Sequence, residues 1–161
     1  MLFRSLGAEP VERPTALRVD EQALLLFELG PGERMAMPLE AVARLERLPQ
    51  GDIVRNAGGE VARYNGEILP ILRTGEYVAG ERPAVVPDAG VFDVVVVNDR
   101  GRRVGLIVGR IHDIVSAPLK LQPWSGRPGL LGSAIVQDEV TALLDVPGLL
   151  REFPVVATLT A

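Results

Sequence analysis

Two stretches of this chain, residues 23–45 and 92–114, run through the same order of apolar run, glycine turn and second apolar run. At an offset of 69 residues, Ala23-Leu24-Leu25-Leu26-Phe27 faces Phe92-Asp93-Val94-Val95-Val96. At the same offset Gly32-Glu33-Arg34-Met35-Ala36-Met37 faces Gly101-Arg102-Arg103-Val104-Gly105-Leu106, and Val42 and Leu45 face Ile111 and Ile114. Further on, at an offset of 72, Ile68-Leu69-Pro70-Ile71-Leu72 faces Val140-Thr141-Ala142-Leu143-Leu144, with a short turn or helix after each. Elements recurring in one order with their turns imply duplication of a unit of about 50 residues. A unit of about five short strands left as an open sheet would expose edges that template pairing with other chains. Closing each unit into a small barrel removes the edges, and packing two barrels together buries more apolar area. One mixed sandwich of all the strands is the alternative, and the repeat favours two barrels.

Local signals place the elements. Ala23–Leu29 and Glu33–Met37 read as strands around Gly30-Pro31-Gly32. Pro38 suits a first helical position, and Leu39, Val42, Leu45 and Leu48 follow at spacings of three, which predicts a helix ending before Pro49. Ile53–Asn56, Glu60–Tyr64 and Glu67–Leu72 read as strands, the last two joined by Asn65-Gly66, a pair that tolerates the positive φ of a type I′ turn. The segment 79–90, with two prolines and two glycines, reads as the internal linker, giving barrels over 22–82 and 88–152, with tails at 1–21 and 153–161. Val91–Val97, Arg102–Val108 and Arg110–Val115 form the next strands. Ala117–Gly129, holding Trp124, reads as a loop, with Trp124 as a plug over a barrel end. Ile135–Gln137 and Val140–Val146 make a last hairpin, and Pro147 opens a short helix through Phe153.

Composition narrows the function. The chain has no cysteine and a single histidine, His112, which removes disulfides, thiolate chemistry and multi-histidine metal sites. Aromatic residues are 4% of the 161, and the 21 acidic residues outnumber the 17 basic ones, so the basic, aromatic surface of a nucleic-acid binder is missing. No apolar run reaches the roughly 20 residues that span a bilayer. Residues 1–10 carry Arg4 and Glu9 where a signal peptide needs an apolar stretch, so the expectation is an intracellular, cytoplasmic chain. His112 with Asp113, and Asp145, are the residues a small-barrel hydrolase would use. Neighbours in an extended segment point to opposite faces, however, and Asp145 is placed to cap the terminal helix. Ser133 lacks a nucleophile-elbow context, and no glycine loop precedes a helix as in a phosphate cradle. The reading is therefore of a chain with no catalytic residue, no cofactor and no metal. Leu39 and Val42 in the first copy, and Ile107 and Ile111 in the second, are the candidate aliphatic contacts with a partner protein; core packing is their other reading.

The repeat and its wording resemble the CheW-like domain of bacterial chemotaxis proteins. Leu25-Leu26-Phe27 through Glu33–Leu39 resembles that family's opening hairpin, and Asn65-Gly66-Glu67-Ile68-Leu69-Pro70-Ile71-Leu72 its Arg-Gly-x-Ile-x-Pro signature. Arg103–Val108 resembles its central strand, and Gly129–Ile135 with Leu143-Leu144-Asp145-Val146 its closing segment. The resemblance covers about residues 22–152. It implies an all-β fold of two SH3-like five-stranded barrels related by a pseudo-twofold, with short helices. It also implies a non-catalytic scaffold joining chemoreceptor signalling tips to the chemotaxis histidine kinase CheA or the adaptor CheW, at receptor arrays on the inner face of the membrane. Val42–Glu46 and Gly66–Arg73 look closer to the kinase's own regulatory module than to the free-standing adaptor, which is the alternative. Asn65 stands where the signature has a basic residue, so an ion pair made from that position in the family does not carry over.

Overall fold

The computed structural model describes residues 9–10, 21–124 and 127–152. Its strands are β1 (Glu9–Pro10), β2 (Glu21–Glu28), β3 (Arg34–Pro38), β4 (Val42–Pro49), β5 (Ile53–Asn56), β6 (Gly59–Tyr64) and β7 (Glu67–Arg73). After the connection through 74–90 come β8 (Val91–Asp99), β9 (Arg102–Val108), β10 (Arg110–Pro118), β11 (Gln122–Pro123), β12 (Leu130–Val136) and β13 (Glu139–Leu144), then helix α1 (Val146–Glu152). They form two sheets, ordered β1-β4-β8-β9-β7-β6-β5 and β10-β2-β3-β13-β12-β11. Each is the sheet of one β-barrel-like unit. The tails expected at 1–21 and 153–161 fall largely outside the described residues, except that Glu9 and Pro10 pair with Leu45 and Arg44, and Glu21 opens β2.

Apart from β1, the two orders are the same order, strand for strand. The registers agree as well. Leu25↔Met37 in the β2–β3 hairpin matches Val95↔Leu106 in β8–β9, and Phe27↔Met35 matches Val97↔Val104. The parallel pair Leu143↔Ala36 matches Ile71↔Gly105, and Ala134↔Thr141 matches Ala62↔Leu69. Even the irregularities coincide, since β4 skips Ala43 against β8 and β10 skips His112 against β2. The first strands are nevertheless related by 70 residues (Leu25 to Val95) rather than 69, because the second copy's hairpin turn is one residue shorter. A one-residue slip exchanges the two faces of a strand. Here both faces are buried: Leu24 and Leu26 point into one barrel, whereas Leu25 and Phe27 point into a core between the barrels. Val94 and Val96 against Val95 and Val97 repeat that division, which is why both runs are continuously apolar.

The barrels do not follow the expected halves. After β3 the chain leaves the six-stranded sheet at Leu39–Ala41, builds β4 to β9 in the seven-stranded one, and returns at Gly109. Residues 42–108 therefore make a continuous barrel, and residues 21–38 with 110–144 make a split barrel, so that the first hairpin of each repeat joins the later strands of the other repeat. The segment 79–90 lies within the continuous barrel and divides nothing. It is also anchored: Ala79 N–H donates to Pro128 O, and Gln50 N–H to Gly90 O. The largest core lies between the barrels, joining Phe27, Met35 and Met37 to Val95, Val104 and Leu106, with Leu149 and Leu150 of α1 closing it.

The helix expected over 39–48 is one turn of 3-10 helix, Leu39–Ala41, followed by strand β4. Skipping Ala43 puts one extra residue between Val42 and Leu45, and both enter the central core. A bulge of this kind turns the two-residue period of a strand into a spacing of three.

Candidate functional site

Each barrel presents one outer hairpin face. In β6–β7 the turn Asn65-Gly66 holds φ values of 50° and 77°, and in β12–β13 Gln137-Asp138 holds 53° and 62°, so both hairpins close with two positive-φ residues. Alternation then sorts the side chains. Ala62, Tyr64, Leu69 and Ile71 enter the continuous barrel, while Val54, Val61, Arg63, Ile68 and Pro70 lie on its outer face. In the split barrel Val136 and Leu143 go inward, Ala142 packs against the central core, and Gln122, Ser133, Ile135 and Val140 lie outside. The outer faces hold four bare aliphatics: Ile68 is 72% exposed, Val140 69% and Ile135 60%, with Val54 also exposed; Val86, in the 79–90 segment, is bare as well. Apolar side chains clustered on exposed strands mark interaction surfaces.

The inner face of the continuous barrel ends in a charged clamp. Arg73 donates to both oxygens of Glu60, at 2.6 and 2.9 Å, and its guanidinium lies 5.3 Å from the Phe92 ring centre. The hydrogen bond from Arg73 holds the Glu60 carboxyl below its ordinary value of 4.5, against a smaller opposing effect of burial. A carboxyl lowered by folding adds stability that is complete above its unfolded pKa and is lost as pH falls through the folded one. Urea midpoints measured from neutral pH down past 4.5 should therefore fall for wild type, and Glu60→Gln should remove part of that slope; an unchanged slope would show the clamp to be energetically idle. Asp93 has the opposite sign, since burial pushes its carboxyl up although Ile111 N–H donates to it and Arg47 stands 3.5 Å away.

A second clamp ties the barrels together. Arg82, almost wholly buried, donates to both oxygens of Glu33 at 2.7 and 2.6 Å, and to the carbonyls of Gly75, Val78 and Ala79. A cavity of about 630 Å³ opens beside this strap, floored by Val78 and Ile107 and rimmed by Arg73, Glu76, Glu81 and Arg82. The Arg82–Glu33 clamp gives no sequence signal beyond a charged residue in a proline-rich stretch.

The four aliphatic candidates are not on the surface. Leu39, Val42 and Ile111 sit in the central core and Ile107 in the core of the continuous barrel, each 7% exposed or less. Sequence spacing alone does not separate them from a surface stripe, because both sides of the strands that carry them are covered. The outer aliphatics stand in plain view as the alternate residues of the two hairpins. Of the acid–base candidates, His112 Nε2 lies 2.8 Å from Glu28 Oε2, Asp113 accepts the N–H of Ile114, and Asp145 accepts the N–H of Gly148 and so caps α1. None of these contacts joins one candidate to another. No group of three or more metal-ligating side chains occurs among the described residues, and no helix among them is long and apolar enough to cross a membrane. Trp124 is 38% exposed with the Arg127 guanidinium 5.4 Å from its ring centre, so it does not plug a barrel.

Known proteins share this arrangement. The family model of the CheW-like domain matches residues 23–153. No curated protein matches. Among solved structures, the scaffolding protein TtCheW from Thermoanaerobacter tengcongensis aligns with a TM-score of 0.59 at 15% identity, over 76% of this chain and 88% of that one.

Proposed function

The chain belongs to the CheW-like domain family, and from that premise we propose that it is a non-catalytic scaffold coupling chemoreceptors to a chemotaxis histidine kinase by contact between barrels. The observation that carries the reading is the pair of register-equivalent outer faces, each with bare aliphatic side chains, in a fold whose acid–base residues are occupied separately by a cap, a hydrogen bond to Glu28 and a backbone N–H. Two faces on one rigid body suit a protein that joins two others. TtCheW, the protein whose structure aligns with this one, is itself a scaffolding protein, and that supports the same reading. The wording of Val42–Glu46 and Gly66–Arg73 favours the regulatory module of a CheA-type kinase over a free-standing adaptor, acting in the cytoplasm at receptor arrays.

The aliphatic contacts are reassigned from the buried positions to Ile68 on the continuous barrel and Val140 on the split one. Aliphatic anchors at the centre of an interface carry most of its energy, and a charge there is left unpaired. Purified receptor signalling tips and a CheW-type adaptor should be retained by wild type. At least one of these partners should bind Ile68→Glu or Val140→Glu at least tenfold more weakly, while the thermal unfolding of each variant stays within about 2 °C of wild type, as expected for exposed sites. Wild type that captures neither partner would overturn the function. Variants that bind both partners as wild type does would overturn the faces.

A further inference from the structure

The two sheets differ at one edge. In the seven-stranded sheet the outer edge of β4 is covered by β1, with Glu9 opposite Leu45 and Pro10 opposite Arg44. Opposite residues of an antiparallel pair alternate between exchanging two hydrogen bonds and none. Pro10 has no N–H to give, so the bonded pair is Glu9 with Leu45, and the Leu45 N–H points outward to β1. The counterpart of β4 is β10, where Ile114 faces Leu25 as Leu45 faces Val95. The outer edge of β10 pairs with no strand among the described residues. At the offset of 70 that relates the first strands, the counterpart of β1 falls at Ala79-Gly80. That segment is tied elsewhere, by Ala79 to Pro128 and by Arg82 to Glu33.

The groups left over on this edge can be named. Asp113 Oδ1 accepts the Ile114 N–H at 2.8 Å, so the amide matching the one that Leu45 gives to β1 is held only by the neighbouring carboxylate. Ser116, two residues on and exposed, turns its N–H the same way, and Pro118, with none to offer, ends the row. An unpaired row of this kind templates the addition of an extended segment, and a charged side chain on it is a common guard.

The chain carries a segment suited to the place. Helix α1 shares the central core with Ile111 and Ile114, and nine residues follow Glu152 in the sequence, Phe153 to Ala161. Phe153 precedes a proline, which disfavours continuation of the helix and favours an extended course. Val155-Val156-Ala157-Thr158-Leu159-Thr160 holds no charge and is rich in β-branched residues. Nine extended residues reach at most about 30 Å, the diameter of a small domain.

We propose that residues 155–160 add to the outer edge of β10 as its missing strand, taking up the Ile114 and Ser116 amides and displacing the Asp113 carboxylate. Each barrel then keeps one end of the chain as an edge strand, β1 on β4 and the tail on β10. While the tail lies there, the edge is closed to extended segments of other chains. The proposal uses neither outer face, so it stands or falls apart from the scaffold reading.

The test is amide hydrogen exchange of the full chain, read residue by residue by NMR. The Ile114 and Ser116 amides should exchange at least tenfold more slowly in wild type than in a variant carrying both Val156→Pro and Thr158→Pro, whose tail cannot complete a ladder. Val115, whose N–H faces β2, should exchange alike in the two proteins. The chain has no cysteine, so Ser116→Cys combined in turn with Val155→Cys, Val156→Cys, Ala157→Cys and Thr158→Cys gives a second readout. Disulfides within one chain should form at alternate tail positions only, as the two-residue period of a strand requires. Equal exchange of the edge amides in the two proteins, protection that grows with protein concentration and so belongs to a second copy, or disulfides spread evenly along the tail would each overturn the proposal.

Discussion

Replacing Val42 with glutamate should unfold the protein instead of weakening a partner contact. Val42 is 1% exposed in the central core, beside Leu45 and Val97, and pairs with Val97 just before the skipped residue of β4. A carboxylate there has no cation to meet and no water to hold it. Leaving such a charge uncompensated costs about 3–5 kcal/mol, a large part of the whole stability of a domain this size. Ile111→Glu, at the matching position of the second copy, should behave alike. Circular dichroism and urea titration decide the point: a folded Val42→Glu protein of wild-type stability would mean that this residue faces outward, and that the aliphatic contacts belong at the buried set after all.

Gly109 should be the least replaceable glycine on the path between the barrels. It is the single residue between β9 and β10, where the chain returns to the split barrel, and its N–H donates to Glu28 O at 2.7 Å. A Cβ at this position would stand 2.6 Å from Leu29 O and 2.9 Å from Glu28 O, and both are backbone atoms that cannot swing aside. Gly109→Ala must push the β2 end away, weakening that hydrogen bond and the first rungs of β10 on β2. A cost of about 3 kcal/mol is expected, lowering the melting temperature by about 10 °C. Gly101→Ala is the control at a turn with open space around it, where only the positive φ of 85° resists the change, at about 1 kcal/mol. Equal losses at the two sites would show that close approach at the crossing is not what Gly109 serves.

Much of this architecture is legible in the sequence because turns and periods are local. Asn65-Gly66 closes its hairpin as its chemistry requires, Asp145 caps α1, and β5 begins and ends where the local signals put it. The duplication is legible from order alone. What stays hidden depends on partners far along the chain. No residue of Val42–Pro49 states which sheet it will join, so the exchange of first hairpins is invisible and a proline-rich loop passes for the boundary. The skipped Ala43 disguises a strand as a helix. Double burial of Ala23–Phe27 erases the alternation that would reveal a slip of one residue. The candidate faces suffer in the same way: buried and exposed aliphatics carry the same letters, and only the register separates Ile107 from Ile68.

The exchanged hairpins also determine what the molecule can transmit. In a tandem of two domains the angle between the outer faces would drift with the linker. In this chain a rotation of one barrel against the other must strain both crossings, at Leu39–Ala41 and at Gly109, break the Arg82–Glu33 clamp and part the core they share. The distance from one outer face to the other therefore behaves as a ruler. Partners held at the two ends are set at a spacing fixed by the core between the barrels and not by the length of a linker.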